Sequence, residues 1–304
     1  LDNALRGGIP VCLGDKNDPL VYYAYSRKHG DLERDYNRFL VEDAYFAQGD
    51  GNYRDVNQNR RSDVWFEPRV REANIKTFMN CLQLDGFNPL VVKGTDYYFK
   101  KNKDSQKVLN GFFGAKNTEA IFDYMAGAFK LGELYRFLES KGWTTEHAFN
   151  KFLSEAAVFL TPEQRAEHGE GFWVDHWTYN LDLIENYLGI YPEKLTELLF
   201  MSRDYTFYDN AHRVRPRSEK YTLLERRGVR QYQSVLNDKE KAKLIASRTK
   251  DANTVRIQNG KGEVYKTTLM AKLIALYVNK LASLDAEGVG IEMEADKPSW
   301  YDAL

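Results

Sequence analysis

The fifteen-residue segment 51–65 is too polar to be buried as ordinary hydrophobic core. It contains two acids, three arginines, four amides and two aromatic residues. Buried polar groups need hydrogen-bond partners, and a core cannot supply partners for so many of them. A sugar can, because its hydroxyls pair with fixed donors and acceptors while its C–H faces pack on an aromatic ring. The alternative interpretation is a solvated surface loop with ion pairs.

Part of this segment, Tyr53-Arg54-Asp55-x-x-Gln58, resembles the Arg-Asp-x-x-Gln-Asp signature of the cellobiose phosphorylase family and its six-hairpin relatives. The resemblance implies that Arg54, Asp55, Gln58 and Asn59 line the subsite that holds the glycosyl unit to be transferred. Asn59 stands where the family has Asp, so a neutral amide replaces a charged acceptor of hydroxyl groups. This difference bears on which sugar the subsite prefers.

A second stretch, 172–180, combines aromatic and polar residues at the start of a predicted helix. It includes Trp173, Asp175, His176 and Trp177. Such a mixture is typical of a stacking platform with hydrogen-bonding groups around it, and we predict a second sugar-binding element here. The alternative is a buried aromatic cluster whose polar atoms are satisfied within the protein.

The stretch 292–304 is a candidate for the catalytic acid, because an apolar ring beside a carboxyl raises its pKa and keeps it protonated near neutral pH. It resembles the family's Asp-Trp-Asn-Asp pattern, in which the acid that protonates the glycosidic oxygen precedes Trp. Trp300 and Asp302 match that pattern, but Ser299 stands before Trp300. The acid is therefore Asp296 or Asp302, and the Trp-Met-Asp segment of glycogen-debranching relatives favours Asp302. The alternative is an ordinary acidic helix cap.

Composition limits the class of protein and its partners. The chain has 304 residues, 43% of them hydrophobic, which is enough for a sizeable core. Its net charge is −1 with acids and bases interspersed, so we expect neither nucleic acid nor a membrane as a partner. Cys12 and Cys81 are expected to be reduced, as in a cytoplasmic protein. The chain starts without Met, and we expect a fragment of a larger protein with both flanks missing.

Apolar residues at helical spacing recur along the chain and predict several helices. One long helix is predicted over 117–142. The other predicted helices cover about 70–82, 149–159, 181–188 and 270–284. Thr161-Pro162-Glu163-Gln164 predicts a capping box that opens a short helix. Residues 87–115 are predicted to form a loop with one strand at Leu90–Val92. The Asn-Gly pair in 255–265 predicts a hairpin.

An arginine-rich segment, 210–217, is open to two interpretations. It contains His212, Arg213, Arg215 and Arg217. Several guanidinium groups with one imidazole can hold an anion such as phosphate. The alternative is that these arginines pair with acids on the surface or at an interface.

Helices joined by polar, aromatic loops, together with the resemblance, favour an all-α fold. We predict an incomplete (α/α)6 six-hairpin toroid with small β-hairpin insertions, in which residues 1–304 form part of a single catalytic domain. No metal and no cofactor are expected, and inorganic phosphate is the expected co-substrate.

The resemblance implies an inverting glycoside phosphorylase that cleaves β-glucosidic oligosaccharides with phosphate to give a sugar 1-phosphate. The expected partners are the oligosaccharide and phosphate, with a homodimer as a possible assembly. The family's phosphate-binding groups are expected beyond Leu304, so that this chain alone can be inactive. Two rivals are an inverting hydrolase of the same fold, which needs a second carboxylate roughly 6.5–9.5 Å from the acid, and a non-catalytic carbohydrate-binding protein.

Overall fold

The chain divides into two compact units. The computed structural model describes residues 7–15, 19–24, 51–89, 91–167, 176–216, 219, 221–223, 230–232, 235–248 and 255–282. The first unit comprises Leu1–Ala73, Val92–Arg165 and Lys250–Ala252, and the second comprises Asn74–Val91, Ala166–Thr249 and Asn253–Leu304.

Strands are present in both units, so the prediction of an all-α (α/α)6 toroid is wrong; the fold mixes helices with small sheets. The described strands are β1 (Ile9–Leu13), β2 (Leu20–Ala24), β3 (Gly51–Asn52), β4 (Val91–Phe99), β5 (Leu160–Glu167), β6 (Tyr205–Thr206), β7 (His212–Val214), β8 (Tyr221–Leu223), β9 (Arg230–Tyr232), β10 (Val235–Asn237) and β11 (Lys266–Thr267). They form a three-stranded sheet, β3-β4-β5, and the pairs β1-β2, β7-β10, β6-β11 and β8-β9. Most strands have five residues or fewer, which is too short for an alternating pattern to reveal them in the sequence.

Ten α-helices are described. They are α1 (Tyr53–Arg60), α2 (Asp63–Phe66), α3 (Ala73–Met79), α4 (Lys103–Phe113), α5 (Ala115–Tyr124), α6 (Leu131–Ser140), α7 (Glu146–Ala156), α8 (His176–Ile190), α9 (Lys239–Ala246) and α10 (Leu269–Ala282). Short 3₁₀ turns cover Pro68–Val70, Ala157–Phe159 and Pro192–Lys194, and a π-helical turn covers Glu197–Met201. The predicted helices over 149–159, 181–188 and 270–284 are confirmed as α7, α8 and α10, with shifted ends.

The core of the first unit is rich in aromatic rings carried by α4 and α7. The Phe113 and Phe152 rings meet edge to face with centroids 4.9 Å apart, and Phe149 lies 5.9 Å from Phe152. Phe149 and Phe152 are buried, as is Leu138 of α6. Burial of these rings stabilises the packing of the unit's helices, since each large side chain contributes about 1.5–3 kcal/mol when fully buried.

The predicted loop at 87–115 contains two regular elements instead. Strand β4 spans nine residues, and α4 follows it after a short connection. Asn102 begins α4, because its side chain accepts hydrogen bonds from the backbone N–H groups of Asp104 and Ser105, and the Ser105 hydroxyl accepts one from the N–H of Asn102. This reciprocal cap lies within the lysine-rich run 100–103.

The predicted capping box at Thr161–Gln164 is also wrong, because these residues belong to strand β5 at the edge of the three-stranded sheet. Proline is tolerated at a sheet edge, where its missing N–H is not needed. Side chains hold β5 to β4: Arg165 Nε donates to Asp96 Oδ2 over 3.1 Å, and its NH2 group donates to the Tyr98 hydroxyl over 2.8 Å. These cross-strand pairs outweigh the local helix signal.

The single long helix predicted over 117–142 is broken into α5 and α6. The break occurs because Phe129, between the two helices, pairs with the backbone of Tyr97 in β4. The Tyr97 N–H donates to the Phe129 carbonyl over 2.8 Å, and the Phe129 N–H donates to the Tyr97 carbonyl over 3.0 Å. A contact distant in sequence therefore overrides a continuous helical period.

The second unit is built around the segment 80–87. Lys272 of α10 is 1% exposed, and its Nζ donates to the carbonyls of Leu82 and Thr206 over 2.9 and 2.7 Å. The ammonium also lies 3.9 Å from the centroid of the Phe207 ring. Burial, with a smaller effect of the nearby Arg256 guanidinium, lowers the pKa of Lys272 well below its usual value.

Helix α10 turns its apolar stripe outward. The residues that predict this helix include Ile274, Tyr277 and Leu281, and each is about half exposed, at 54, 56 and 48%. The buried side instead carries Lys272 and Leu276. The sequence therefore identifies the helix correctly but not the side that packs on the protein. Among the described helices, none has the length and apolar character needed to cross a membrane.

Candidate functional site

The predicted sugar-binding segment is helical and not a loop. Asn52 begins α1, since its side chain accepts a hydrogen bond from the Arg54 N–H over 3.0 Å. At about 100° per residue, one side of this helix carries Tyr53, Val56, Asn57 and Arg60, all of which are buried. The other side carries Arg54, Asp55, Gln58 and Asn59, which we call the polar face of α1. The four positions of the family resemblance thus share one face.

Arg54 and Asp55 form the charged part of the polar face. Arg54 Nε donates to Asp55 Oδ1 over 3.1 Å. The Arg54 side chain keeps 33% of its surface exposed, whereas that of Asp55 keeps 9%. The carboxylate therefore lies at the base of the face and contacts a guanidinium group that is one-third exposed.

Asn59 is held by the helix itself. Its Nδ2 donates to the backbone carbonyl of Asp55, one turn earlier, over 2.7 Å. An aspartate in this position has no proton to donate when ionised, so it could not make this bond. The structure thus gives a local reason for the amide where the family has Asp. Gln58, one turn after Arg54, is half-buried on the same face.

The two aromatic residues of the segment have opposite environments. Tyr53 is fully buried at 0% exposure and belongs to the core. Trp65 of α2 is 51% exposed. Its neighbour Phe66 is 83% exposed. The sequence includes Trp65 in the polar segment but does not show that its ring, unlike that of Tyr53, is exposed.

The remaining predicted site residues cannot be placed beside the polar face. Trp173, Asp175, Asp296, Trp300 and Asp302 lie outside the described residues. The backbone of His176 and Trp177 begins α8, while their side chains also lie outside the description. Their roles in binding and proton transfer stay predictions.

The arginine-rich segment pairs at least in part with acids, as its second interpretation expects. Arg213 Nε lies 3.3 Å from Asp238 Oδ2. In the same unit, Asp209 binds two cations: its Oδ1 is 2.7 Å from Lys241 Nζ and its Oδ2 is 2.6 Å from the NH2 group of Arg248. Within the segment, the ion pair with Asp238 accounts for the charge of Arg213, and the two cations bound to Asp209 add further structural ion pairs to the second unit.

Within the part of the chain that the structure describes, no group of three or more His, Cys, Asp or Glu residues is arranged to hold a metal ion. Cys12 and Cys81 are both free thiols. Comparison of the sequence with protein-family models and with curated proteins finds no match.

Proposed function

We propose that this protein is an inverting glycoside phosphorylase that binds a β-glucosidic oligosaccharide on the polar face of α1. The observation that supports the proposal is that Arg54, Asp55, Gln58 and Asn59 share one side of a helix whose other side is core. This side of the helix is rich in hydrogen-bonding groups, and its guanidinium is already oriented by a carboxylate. Groups fixed in this way favour the binding of ligand hydroxyls.

The chemistry of the face favours an uncharged sugar. The charges of Arg54 and Asp55 cancel within their 3.1 Å ion pair, and Gln58 and Asn59 are neutral amides. Guanidinium and amide N–H groups donate to sugar oxygens, while the amide oxygens accept from hydroxyls. The aromatic stacking partner is Trp173 or Trp177, as the sequence predicts, or Trp65, whose ring is half exposed.

The proposed reaction is a single displacement at the anomeric carbon. A phosphate oxygen attacks from the side opposite the glycosidic bond, and that C–O bond breaks as the new C–O bond forms. Asp302 or Asp296 transfers a proton to the departing glycosidic oxygen, so the products are a sugar 1-phosphate of inverted configuration and the shortened sugar. Trp300 would desolvate the acid, and Asp175 and His176 would contact the donor sugar.

Turnover of a panel of β-linked gluco-oligosaccharides tests the proposal. The 304-residue chain and any longer form of the protein are incubated with each sugar, with and without inorganic phosphate. We expect phosphate-dependent release of sugar 1-phosphate that is abolished in Asp302→Asn or Asp296→Asn. Release of free sugar without phosphate would instead indicate a hydrolase, and binding without turnover would indicate a carbohydrate-binding protein.

Variants of two neighbouring aromatic residues distinguish specific stacking on the sugar from nonspecific hydrophobic contact. Trp65→Ala and Phe66→Ala each remove an exposed ring from α2. If Trp65 stacks on the sugar, its removal weakens binding of cellobiose about tenfold, as expected for a loss of 1–2 kcal/mol, while Phe66→Ala leaves binding unchanged. Equal effects of the two variants would assign stacking to another ring.

A further inference from the structure

Arg60, the last residue of α1, is a charged side chain buried in the first unit. It is 5% exposed, on the core side of the helix. Burial disfavours its charged form and lowers its pKa, while the nearby Tyr23 and Asp63 act in the opposite direction. Removing a guanidinium from water is costly, so its place in the core requires compensating contacts.

Those contacts connect α1 to the strand β2 and to the backbone at Gly7. Arg60 Nε donates to the Gly7 carbonyl over 2.7 Å. The guanidinium carbon lies 3.7 Å from the centroid of the Tyr23 ring, which is within the range of a cation–π contact. The Tyr23 hydroxyl in turn donates to Asp63 Oδ2, at the start of α2, over 2.8 Å. One tyrosine therefore contacts both helices.

The backbone of Gly7 lies directly against the turn of α1 that carries Asn59. A Cβ atom at Gly7 would come within 3.1 Å of Arg60 Cγ and 3.3 Å of Asn59 Cβ. The hydrogen bond from Arg60 to the Gly7 carbonyl therefore also fixes the position of Asn59, which belongs to the polar face. Packing of this closeness transmits a displacement of either residue to the other.

We propose that Arg60 and Tyr23 are positioning residues for the polar face of α1. The inference rests on the proposed function, because it assigns these residues to the same sugar-binding face. Neither residue touches the sugar. Arg60 fixes the rotation of α1 about its axis through Gly7 and Tyr23, and Tyr23 fixes the start of α2 through Asp63. A displacement of about 1 Å in such a support is enough to impair a binding geometry.

The test uses the full chain and conservative variants of the two residues. Arg60→Lys keeps the charge but loses the planar group and the Nε donor, and Tyr23→Phe keeps the ring but loses the donor to Asp63. Ile121→Val, in the same unit and fully buried, is the matched control for a small loss of core packing. Cellobiose affinity and amide hydrogen exchange of α1 are measured for each protein.

We expect Arg60→Lys and Tyr23→Phe to weaken cellobiose binding about tenfold and to accelerate exchange of the α1 amides, while Ile121→Val changes neither. In Arg60→Ala, added methylguanidinium should restore part of the cellobiose affinity. We expect no such rescue if the substitution acts only by a general loss of core packing. Wild-type affinity in Arg60→Lys would overturn the proposal. If the wild type binds none of the oligosaccharides, the proposed function fails, and unchanged α1 exchange in Arg60→Lys would then still refute positioning.

Discussion

Arg54 and Asp55, adjacent in the sequence, form a 3.1 Å ion pair on the polar face of α1, with the carboxylate buried and the guanidinium one-third exposed. The pair is asymmetric, because the buried Asp55 carboxylate holds the more exposed Arg54 guanidinium. This arrangement differs from the ion pair between Asp104 and Lys107 in the same unit, in which both partners are largely exposed. Asp104 and Lys107 keep 72 and 78% of their side-chain surfaces exposed.

Replacement of Asp55 by Asn should affect ligand binding more than stability. The amide has nearly the same shape but no charge, so the contact with Arg54 loses its ionic part and holds the guanidinium less firmly. We expect about a tenfold loss of cellobiose affinity and a decrease of about 1 kcal/mol in the free energy of unfolding. Asp104→Asn is the matched control and should change neither quantity, as measured by calorimetric titration and urea unfolding.

Replacement of Asn59 by Asp, the residue found in the family pattern, should destabilise α1. The carboxylate cannot donate to the Asp55 carbonyl, which Asn59 reaches over 2.7 Å, and it adds a second negative charge near Asp55. We expect a loss of about 1–2 kcal/mol in the free energy of unfolding. Urea unfolding of this variant and of Asn59→Ala checks the prediction. If Asn59→Asp loses no more stability than Asn59→Ala, the added negative charge near Asp55 has no destabilising effect.

Lys272 should make the stability of the protein depend on pH. Its folded-state pKa lies well below the usual 10.5, so between these two values the unfolded chain binds a proton that the folded chain does not. Stability therefore rises with pH over this interval, by up to about 1.4 kcal/mol per pH unit. Relative to Lys272→Met, the wild type should gain stability as the pH rises toward about 10.5. A constant difference between the two unfolding curves would contradict the lowered pKa.

Gly86 and Gly114 allow conformational strain and steric overlap to be measured separately. Both have positive φ, +82° and +78°. A Cβ atom at Gly86 would lie 2.5 Å from Asn279 Cβ, whereas one at Gly114 meets nothing within 4 Å. Ala at Gly114 should cost about 1–3 kcal/mol from strain alone, since its φ of 78° with ψ of 147° is essentially restricted to glycine, and Ala at Gly86 should cost about 3 kcal/mol or more because it adds the overlap with Asn279. Equal unfolding midpoints for the two variants would show that the Asn279 side chain moves away freely.

Sequence reasoning predicted several helices correctly because their apolar period is local. The stripe that includes Ile274 and Tyr277 identifies α10, and Phe149 and Phe152 identify α7. Local pattern could not show which side of α10 faces solvent, since that depends on the hydrogen bonds that Lys272 makes to carbonyls distant in sequence.

The errors in fold arose where backbone pairing decides the structure. Phe129 interrupts a continuous helical pattern because it pairs with Tyr97, and Thr161-Pro162 joins a sheet edge because Arg165 and neighbouring side chains bind β4. None of these partners is near in sequence. For the site, the sequence picked out Arg54, Asp55, Gln58 and Asn59 as a group, but not the helix that places them on one face, nor the support that Arg60 receives from Tyr23.

The most direct test of the sugar-binding face is the change in the ¹H–¹⁵N spectrum of the labelled chain when cellobiose is added. We expect saturable shifts of the amide and side-chain signals of Arg54, Asp55, Gln58 and Asn59, with no comparable shifts in α7. Shifts confined to other parts of the protein, or no shifts with any β-linked gluco-oligosaccharide, would contradict it.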